Sequence, residues 1–360
     1  MFFNNNSNYP IGLDISDLSL KLVQLNKRGD KIKIQAMAKT NLPPDCLVDG
    51  EIKNKEEIIK AIEELINNPE FGKVSSREVV ACLPERKTFI KLIEIEKTSD
   101  MTQAIEAEME KHLPTPLDEI YYDWQVIKNR SNHQSILVGA APKNIVNSYT
   151  NLLDEAGLSV YALEIEPVSL CRSLLAEEHY KHKEDGKKNY GILDIGARHT
   201  NFTIYSQNTI LFAISLPVSG EKITQKIAKA LEIEDEQAEK AKIICGLDEK
   251  KAQGIIKNIL SETIDNLINK IKGANNFYNY HFEERGALDK IILCGGGANI
   301  QNLDKIIGES LSINTSMGDS LGNLGEAKEN FSKILQETHS LDINFKGKNN
   351  KKNGLFSITQ

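Results

Sequence analysis

The sequence predicts an α/β chain whose two halves open in the same way. Three observations carry that prediction. Segments of period-two hydrophobicity alternate with segments of helical period along most of the 360 residues. Gly12-Leu13-Asp14-Ile15-Ser16, ahead of Leu20-Lys21-Leu22, is echoed by Ile192-Leu193-Asp194-Ile195-Gly196, ahead of Thr200-Asn201-Phe202. Near the end, Cys294-Gly295-Gly296-Gly297-Ala298-Asn299 carries an apolar strand into a glycine turn and then a helix.

Each element follows from the local pattern. Residues 11–25 alternate through Leu18, Leu20, Leu22 and, after Val23, Leu25. A turn at 27–30 holds Gly29, and 31–40 alternates again, so 11–40 reads as a hairpin. Residues 41–52 read as a loop. Ile58, Ile59, Ile62, Leu65 and Ile66 then share one helical face over 55–68. Residues 77–84 form a buried strand that stops at Pro84, and 88–96 alternate. A helix follows over 100–113, with Asp100 as N-cap, and two prolines end it. Residues 121–128 and 134–142 read as paired strands, and 143–158 as a helix closed by Gly157. The strand from Val160 enters a further helix, and 77–160 reads as a small layer of its own. The polar stretch 177–189 reads as an exposed loop between the halves. The second half restarts with a strand pair over 190–217. Helices are expected over 219–231 and 233–246, with a long helix or helix pair over 251–282. The strand 289–294 leads to a helix that begins near Asn302. The tail from about residue 338 reads as loose.

Composition narrows the function classes. At roughly 100 to 200 residues per domain the chain holds about two to three domains. It is 40% apolar and 26% charged, ordinary for a globular protein. No run approaches the roughly 18 apolar residues of a spanning helix, and the N-terminus lacks the pattern of a secretory signal. Five scattered cysteines argue for a reducing compartment and against a disulfide framework or zinc knuckle. The formal charge of −7 argues against a dedicated nucleic-acid binder.

The repeat has a chemical reading. Small turn residues let backbone N–H groups approach phosphate oxygens, and Ser16, Ser19, Lys21 and Thr200 add hydroxyl or ammonium donors. Asp14 and Asp194 cannot bind phosphate, but they can hold magnesium through its water shell. Either aspartate alone is also an ordinary turn residue after a buried strand. Two in matching contexts, with a glycine turn as third element, point to a ligand. That glycine turn is neither a dinucleotide fingerprint, since Ile300 stands where the third glycine belongs, nor a Walker loop.

In this order and spacing the three segments resemble the first phosphate, second phosphate and adenosine motifs of the actin-like ATPase superfamily, over roughly 10–335. Within it the chain is similar to the PilM family of type IV pilus assembly proteins. The similarity rests on YPIGLDISDLSLKLVQL, REVVACLPERKTFIKLIEI, EMEKHLPTPLDEIYYDWQVI and ILVGAAPKNIVNSYTNLLDEAGLSVYALEIEPVSLCRSL. The resemblance implies an actin-like ATPase (ribonuclease H-like) fold: two related domains flanking a nucleotide cleft, with an FtsA-type inserted subdomain in the first. The implied divisions are 1–76, an insertion at 77–160, a return at 161–188, then 189–218, 219–285, 286–337 and a tail at 338–360.

The same resemblance implies ATP and Mg2+ as ligands. Asp14, Ser16, Ser19 and Lys21 would line the first phosphate turn, and Asp194, Gly196, Thr200 and Asn201 the second. Gly295, Gly296, Gly297 and Ala298 would meet the adenosine, and Asp14 and Asp194 would hold the metal through water. Ala238-Glu239 with Lys242 resembles a helix that contacts ribose and base, although a solvated helix pair explains the two charges equally well. Glu166-Pro167 resembles the step that supplies a water-orienting glutamate, and an N1 proline also follows a helix-start glutamate for capping reasons alone. Ser16 replaces the usual glycine, and His199, which could reach a γ-phosphate, is expected rather to face solvent. These departures fit ATP binding with weak or no hydrolysis. The implied partner is the cytoplasmic N-terminal peptide of a PilN-like membrane protein. Pilus motor ATPases and self-assembly into a ring or filament are further implied contacts, and the membrane is reached only through the partner. A membrane anchor of the FtsA type and a small-molecule kinase remain the alternatives. The tail offers only Gly354-Leu355-Phe356 and Ile358 for an interfacial helix, and no kinase substrate base is evident beside the glycine turns.

Overall fold

The computed structural model describes residues 6–28, 31–113, 115–130, 132–181 and 188–321. They fall into two units, one up to Tyr180 together with Ser320 and Leu321, the other Lys181–Asp319. The expected turn at Gly29 and the tail from residue 338 lie outside the described residues.

The first unit starts with β1 (Asn6–Ser16), β2 (Ser19–Arg28) and β3 (Lys31–Asn41), an antiparallel meander. The expected loop at 41–52 carries a two-residue pair, β4 (Leu47–Val48) and β5 (Glu51–Ile52). Helix α1 (Lys55–Asn67) follows, capped by the Asn54 side chain, which accepts from the Glu57 N–H at 3.3 Å. After β6 (Phe71–Gly72), β7 (Glu78–Leu83) lies parallel to β1. Then come β8 (Phe89–Glu96), α2 (Met101–Met109), β9 (Ile120–Asn129), β10 (His133–Pro142), α3 (Lys143–Glu155), β11 (Ser159–Ile165) and α4 (Glu166–Lys181).

Six of these strands form one sheet in the order β11-β7-β1-β2-β3-β6. Ile11, Leu13, Ile15, Leu20 and Leu22 from the sheet pack with Ile58, Ile62 and Leu65 of α1 and Ile145, Tyr149, Leu152 and Leu153 of α3. Full burial of each such side chain stabilises by about 1.5–3 kcal/mol. Strands β8, β10 and β9 pair in that order, and with α2 they enclose a separate cluster of Ile93, Ile95, Ile105, Met109, Ile136 and Val138.

This corrects the expected layer at 77–160. Strand β7 pairs with β1 and β11, and α3 packs in the first core, so the separate layer runs only from Phe89 to Pro142. An apolar run such as Val79 to Leu83 announces burial but not which sheet receives it. The expected loop at 177–189 is also corrected: α4 continues to Lys181, because no proline or glycine interrupts 177–181.

The second unit contains β12 (Asn189–Ile195), β13 (Thr200–Ser206) and β14 (Thr209–Leu216), again an antiparallel meander. Helices α5 (Gly220–Leu231), α6 (Asp235–Cys245) and α7 (Ile255–His281) follow. Strand β15 (Lys290–Cys294), helix α8 (Leu303–Leu311) and strand β16 (Asn314–Met317) complete it. Parallel pairing of β15 with β12 and β16 gives the neighbour order β16-β15-β12-β13-β14. The stretch 251–282 is one helix of 27 residues after a short 3₁₀ turn. Among the described residues no helix is long and apolar enough to cross a membrane.

Candidate functional site

The two aspartates of the repeat occupy equivalent positions on their hairpins. Asp14, two residues before the end of β1, stands directly across from Lys21; Asp194, one residue before the end of β12, stands directly across from Asn201. Directly opposed residues share a face of the sheet.

In the first unit the hairpin turns through two residues, Asp17 and Leu18. Asp14 is nearly buried; its Oδ2 accepts from Lys21 Nζ at 2.6 Å and from Ser16 Oγ at 2.7 Å. The hydroxyl at the position expected for glycine is therefore turned toward Asp14, while Ser19 closes the turn opposite Ser16. Asp17, which sequence reading passed over as a turn residue, is also buried, and its Oδ1 accepts from the Gly50 N–H at 3.4 Å. The Tyr149 hydroxyl donates to the Gly50 carbonyl at 3.1 Å.

Glu166 belongs to the same neighbourhood. Burial pushes the Tyr149 hydroxyl up, and the Asp17, Asp14 and Glu166 carboxylates add to the shift. The Cys82 thiol is raised by burial and then by Glu166 and Asp14, against a lowering hydrogen bond with Ser169. The first turn is thus an acid-rich end of the sheet, with Lys21 as its strapped cation.

In the second unit four residues, Gly196 to His199, connect β12 to β13, and the Gly196 N–H donates to the His199 carbonyl at 2.8 Å. A Cβ at Gly196 would lie 2.9 Å from that carbonyl oxygen, so only glycine fits without a shift. The expected solvent-facing His199 is corrected: its Nε2 is buried. Helix α5 starts on this turn. The Gly220 N–H donates to the Gly196 carbonyl at 3.0 Å and the Glu221 N–H to the Ala197 carbonyl at 2.8 Å. Ser219 caps the helix by accepting from the Lys222 N–H at 3.3 Å.

The glycine turn packs on Asp194. Gly295 has φ +79°, and a Cβ there would come within 2.2 Å of Asp194 Oδ1. One at Gly297 would meet Ile195 Cγ2 at 2.3 Å, whereas Gly296 faces open space. Ala298 is buried. Thr200 and Asn201 are buried, yet Thr200 Oγ1 and Asn201 Oδ1 have no hydrogen-bond partner among the described residues. Buried polar atoms without partners are costly, so these two fit a ligand or its water shell.

Glu239 and Lys242 lie one turn apart on α6. Lys242 is 4% exposed. Its ammonium donates to the Gly220 carbonyl at 3.1 Å, Thr224 Oγ1 at 2.8 Å and Glu239 Oε2 at 2.5 Å. The solvated-pair alternative therefore fails for Lys242. All three donors are used inside the unit, so Lys242 ties α6 to the first turn of α5 and, through Gly220, to Gly196. Glu239, with its side chain 45% exposed, keeps a free face toward solvent. Sequence gave no signal for Gly220 and Thr224 as partners, because neither lies at helical spacing from Lys242. Among the described residues no cluster of His, Cys, Asp and Glu is arranged to hold a metal directly.

Comparison with known proteins places this architecture. The solved PilM-PilN type IV pilus biogenesis complex matches with TM-score 0.74 at 22% identity, covering 91% of this chain and 94% of that one. The ethanolamine utilization protein EutJ from Carboxydothermus hydrogenoformans matches with TM-score 0.54 at 15% identity, covering 89% of each chain. The fold is the actin-like one, as the motifs implied. The cell division protein FtsA of Enterococcus hirae is 23% identical over 207 residues, 50% of this chain. The chain spans only 43% of that relative's length. The family described as type IV pilus assembly protein PilM matches residues 12–341, nearly the whole chain, and the protein belongs to that family.

Proposed function

We propose that the chain is a nucleotide-binding cytoplasmic scaffold of a type IV pilus, or of a related type II secretion or competence pseudopilus. ATP is its ligand, with Asp14, Ser16, Ser19 and Lys21 serving the phosphates in the first unit and Asp194, Gly196, Thr200 and Asn201 in the second. Magnesium, when bound, would neutralise phosphate charge, and Asp14 and Asp194 would hold it through water. Gly295, Gly296, Gly297 and Ala298 form the adenosine face. Glu239 faces the ribose, and Lys242 acts by holding the second turn rather than by touching the ligand.

The observation that carries this reading is the second turn. On β13, Thr200 Oγ1 and Asn201 Oδ1 are buried without hydrogen-bond partners among the described residues, and the glycine turn packs on Asp194, which lies across from Asn201. A purely structural turn gains nothing from that expense. Glu166, near the acidic end of the first sheet, is the candidate for orienting water, with slow or no turnover expected.

The partner is the cytoplasmic N-terminal peptide of a PilN-like membrane protein, by analogy with the solved PilM-PilN complex. The layer Phe89–Pro142 and the rest of the first unit offer the surface for it, and the membrane is reached through that partner. Contacts with pilus motor ATPases and assembly into a ring or filament extend the same reading. The proposed subdomains run at 1–76, 77–160, 161–188, 189–218, 219–285, 286–337 and 338–360.

Titration of the full chain with ATP, with and without magnesium, tests the assignment. Binding should require both turns, and Asp14→Ala or Lys21→Ala should abolish it. Normal ATP binding by Asp14→Ala sinks the site. The similarity to FtsA keeps a membrane-anchor reading as the rival. Strong unaided co-sedimentation with liposomes would favour it, and turnover of any small phosphoacceptor would favour a kinase.

A further inference from the structure

The first sheet sets three charged side chains in a row. Asp14 lies directly across from Lys21, and Lys21 lies directly across from Lys39 on β3. All three share a face. Their neighbours Leu13, Leu20, Leu22 and Ala38 point the other way, into the core. The row sits where the strands end, since Ser19 pairs with Asn41 and the Leu42 N–H donates to the Leu18 carbonyl at 3.0 Å. Lys39 is therefore two residues from the strand terminus that flanks the Asp17-Leu18 turn.

The charge in this row does not cancel. It holds two ammonium groups and one carboxylate, and the carboxylate is taken up by Lys21 and Ser16. Lys39 is half-buried. Burial depresses its ammonium first and the Lys21 charge second, and the Glu70 carboxylate offsets these by less than either. Adjacent strands are about 4.8 Å apart, so two flexible lysines opposite each other can converge on one anion.

We propose that Lys39 is a second ammonium for the terminal phosphates of a polyphosphate ligand at the first turn, acting with Lys21 as a two-lysine clamp. This rests on the nucleotide reading above and names a residue that no motif marked. Without a ligand the Lys21 charge still disfavours the Lys39 ammonium, because Asp14 and Glu70 compensate it only in part. An anion with charge on its terminal group relieves that repulsion and is held by both. The clamp favours ligands by terminal charge, so a triphosphate gains more than a diphosphate.

The test uses the full chain as wild type, Lys39→Gln and Lys39→Arg. ATP and ADP are titrated with magnesium at two salt concentrations, and melting is followed with and without sodium tripolyphosphate. Lys39→Gln should weaken ATP by about tenfold, or ~1.4 kcal/mol, weaken ADP much less, and lower the salt dependence of ATP binding. Lys39→Arg should stay near wild type. Lys39→Gln should also melt at or above the wild-type temperature without ligand and lose most of the tripolyphosphate stabilisation. If wild type binds ATP and Lys39→Gln binds it equally well, the clamp is wrong and the nucleotide site stands. Equal weakening of ATP and ADP, or an unstable Lys39→Gln with Lys39→Arg as weak as Lys39→Gln, also overturns the clamp. If wild type binds neither ATP nor tripolyphosphate, the parent reading itself fails.

Discussion

Replacing Lys242 with methionine should loosen the second turn from a distance. Methionine fills similar volume without charge, so the change isolates the ammonium. Three hydrogen bonds are lost, to the Gly220 carbonyl, Thr224 Oγ1 and Glu239 Oε2. Two of the stranded groups recover: the Gly220 carbonyl and Glu239 Oε2 both stay within reach of the one Thr224 hydroxyl proton, and Glu239 is exposed enough to rehydrate when Gly220 takes it. Relief from burying an ammonium offsets part of the remainder, leaving a destabilisation of about 2–3 kcal/mol. Glu239→Gln should cost at least as much, because it leaves the buried charge without its counter-ion, and the double variant should recover part of the loss. Denaturant titration reads these energies. Amide exchange at Gly220 and Glu221, whose N–H groups hold the Gly196 and Ala197 carbonyls, reads the local effect and should accelerate in Lys242→Met. A loss below about 0.5 kcal/mol with unchanged exchange at both amides would refute the strut and free Lys242 to act on a ligand.

Three further outcomes follow from the described contacts. Gly295→Ala should destabilise by at least about 2 kcal/mol, from its left-handed backbone and the clash with Asp194, whereas Gly296→Ala should be nearly neutral in thermal unfolding. The raised Cys82 and Cys171 thiols make stability fall on the alkaline side. The unfolded chain loses these protons near pH 8.5 while the folded one keeps them, so stability is flat below that pH and then drops by about 1.4 kcal/mol per unit for each thiol. Urea midpoints from pH 7 to 10 check this, and Cys82→Ala with Cys171→Ala should flatten the slope. Iodoacetamide followed by mass spectrometry should label Cys245 before Cys82 or Cys171 in the native protein, since burial disfavours both thiolates.

The strands and helices were legible because their periodicity is local. Alternation through Leu20, Leu22 and Leu25 marked β2, and the isoleucines of α1 marked its buried face. The equivalence of Asp14 and Asp194 was legible too, since each follows an apolar strand and precedes a returning one. Sheet membership was not: β7 reads as buried wherever it goes, and only pairing with β1 and β11 places it. Lys242 reads equally as a ligand contact or a solvated charge, because its partners Gly220 and Thr224 come from another helix. Asp17 and Lys39 escaped notice for the same reason. Each becomes distinctive only when Gly50 or Lys21 is brought beside it by the fold.

The layer from Phe89 to Pro142 has its own cluster of buried side chains, none of which belongs to the cluster beneath the first sheet. Mutations can therefore reshape its outer strand β9, where Tyr121 and Val126 are already exposed, without touching the core beneath the Asp14 hairpin.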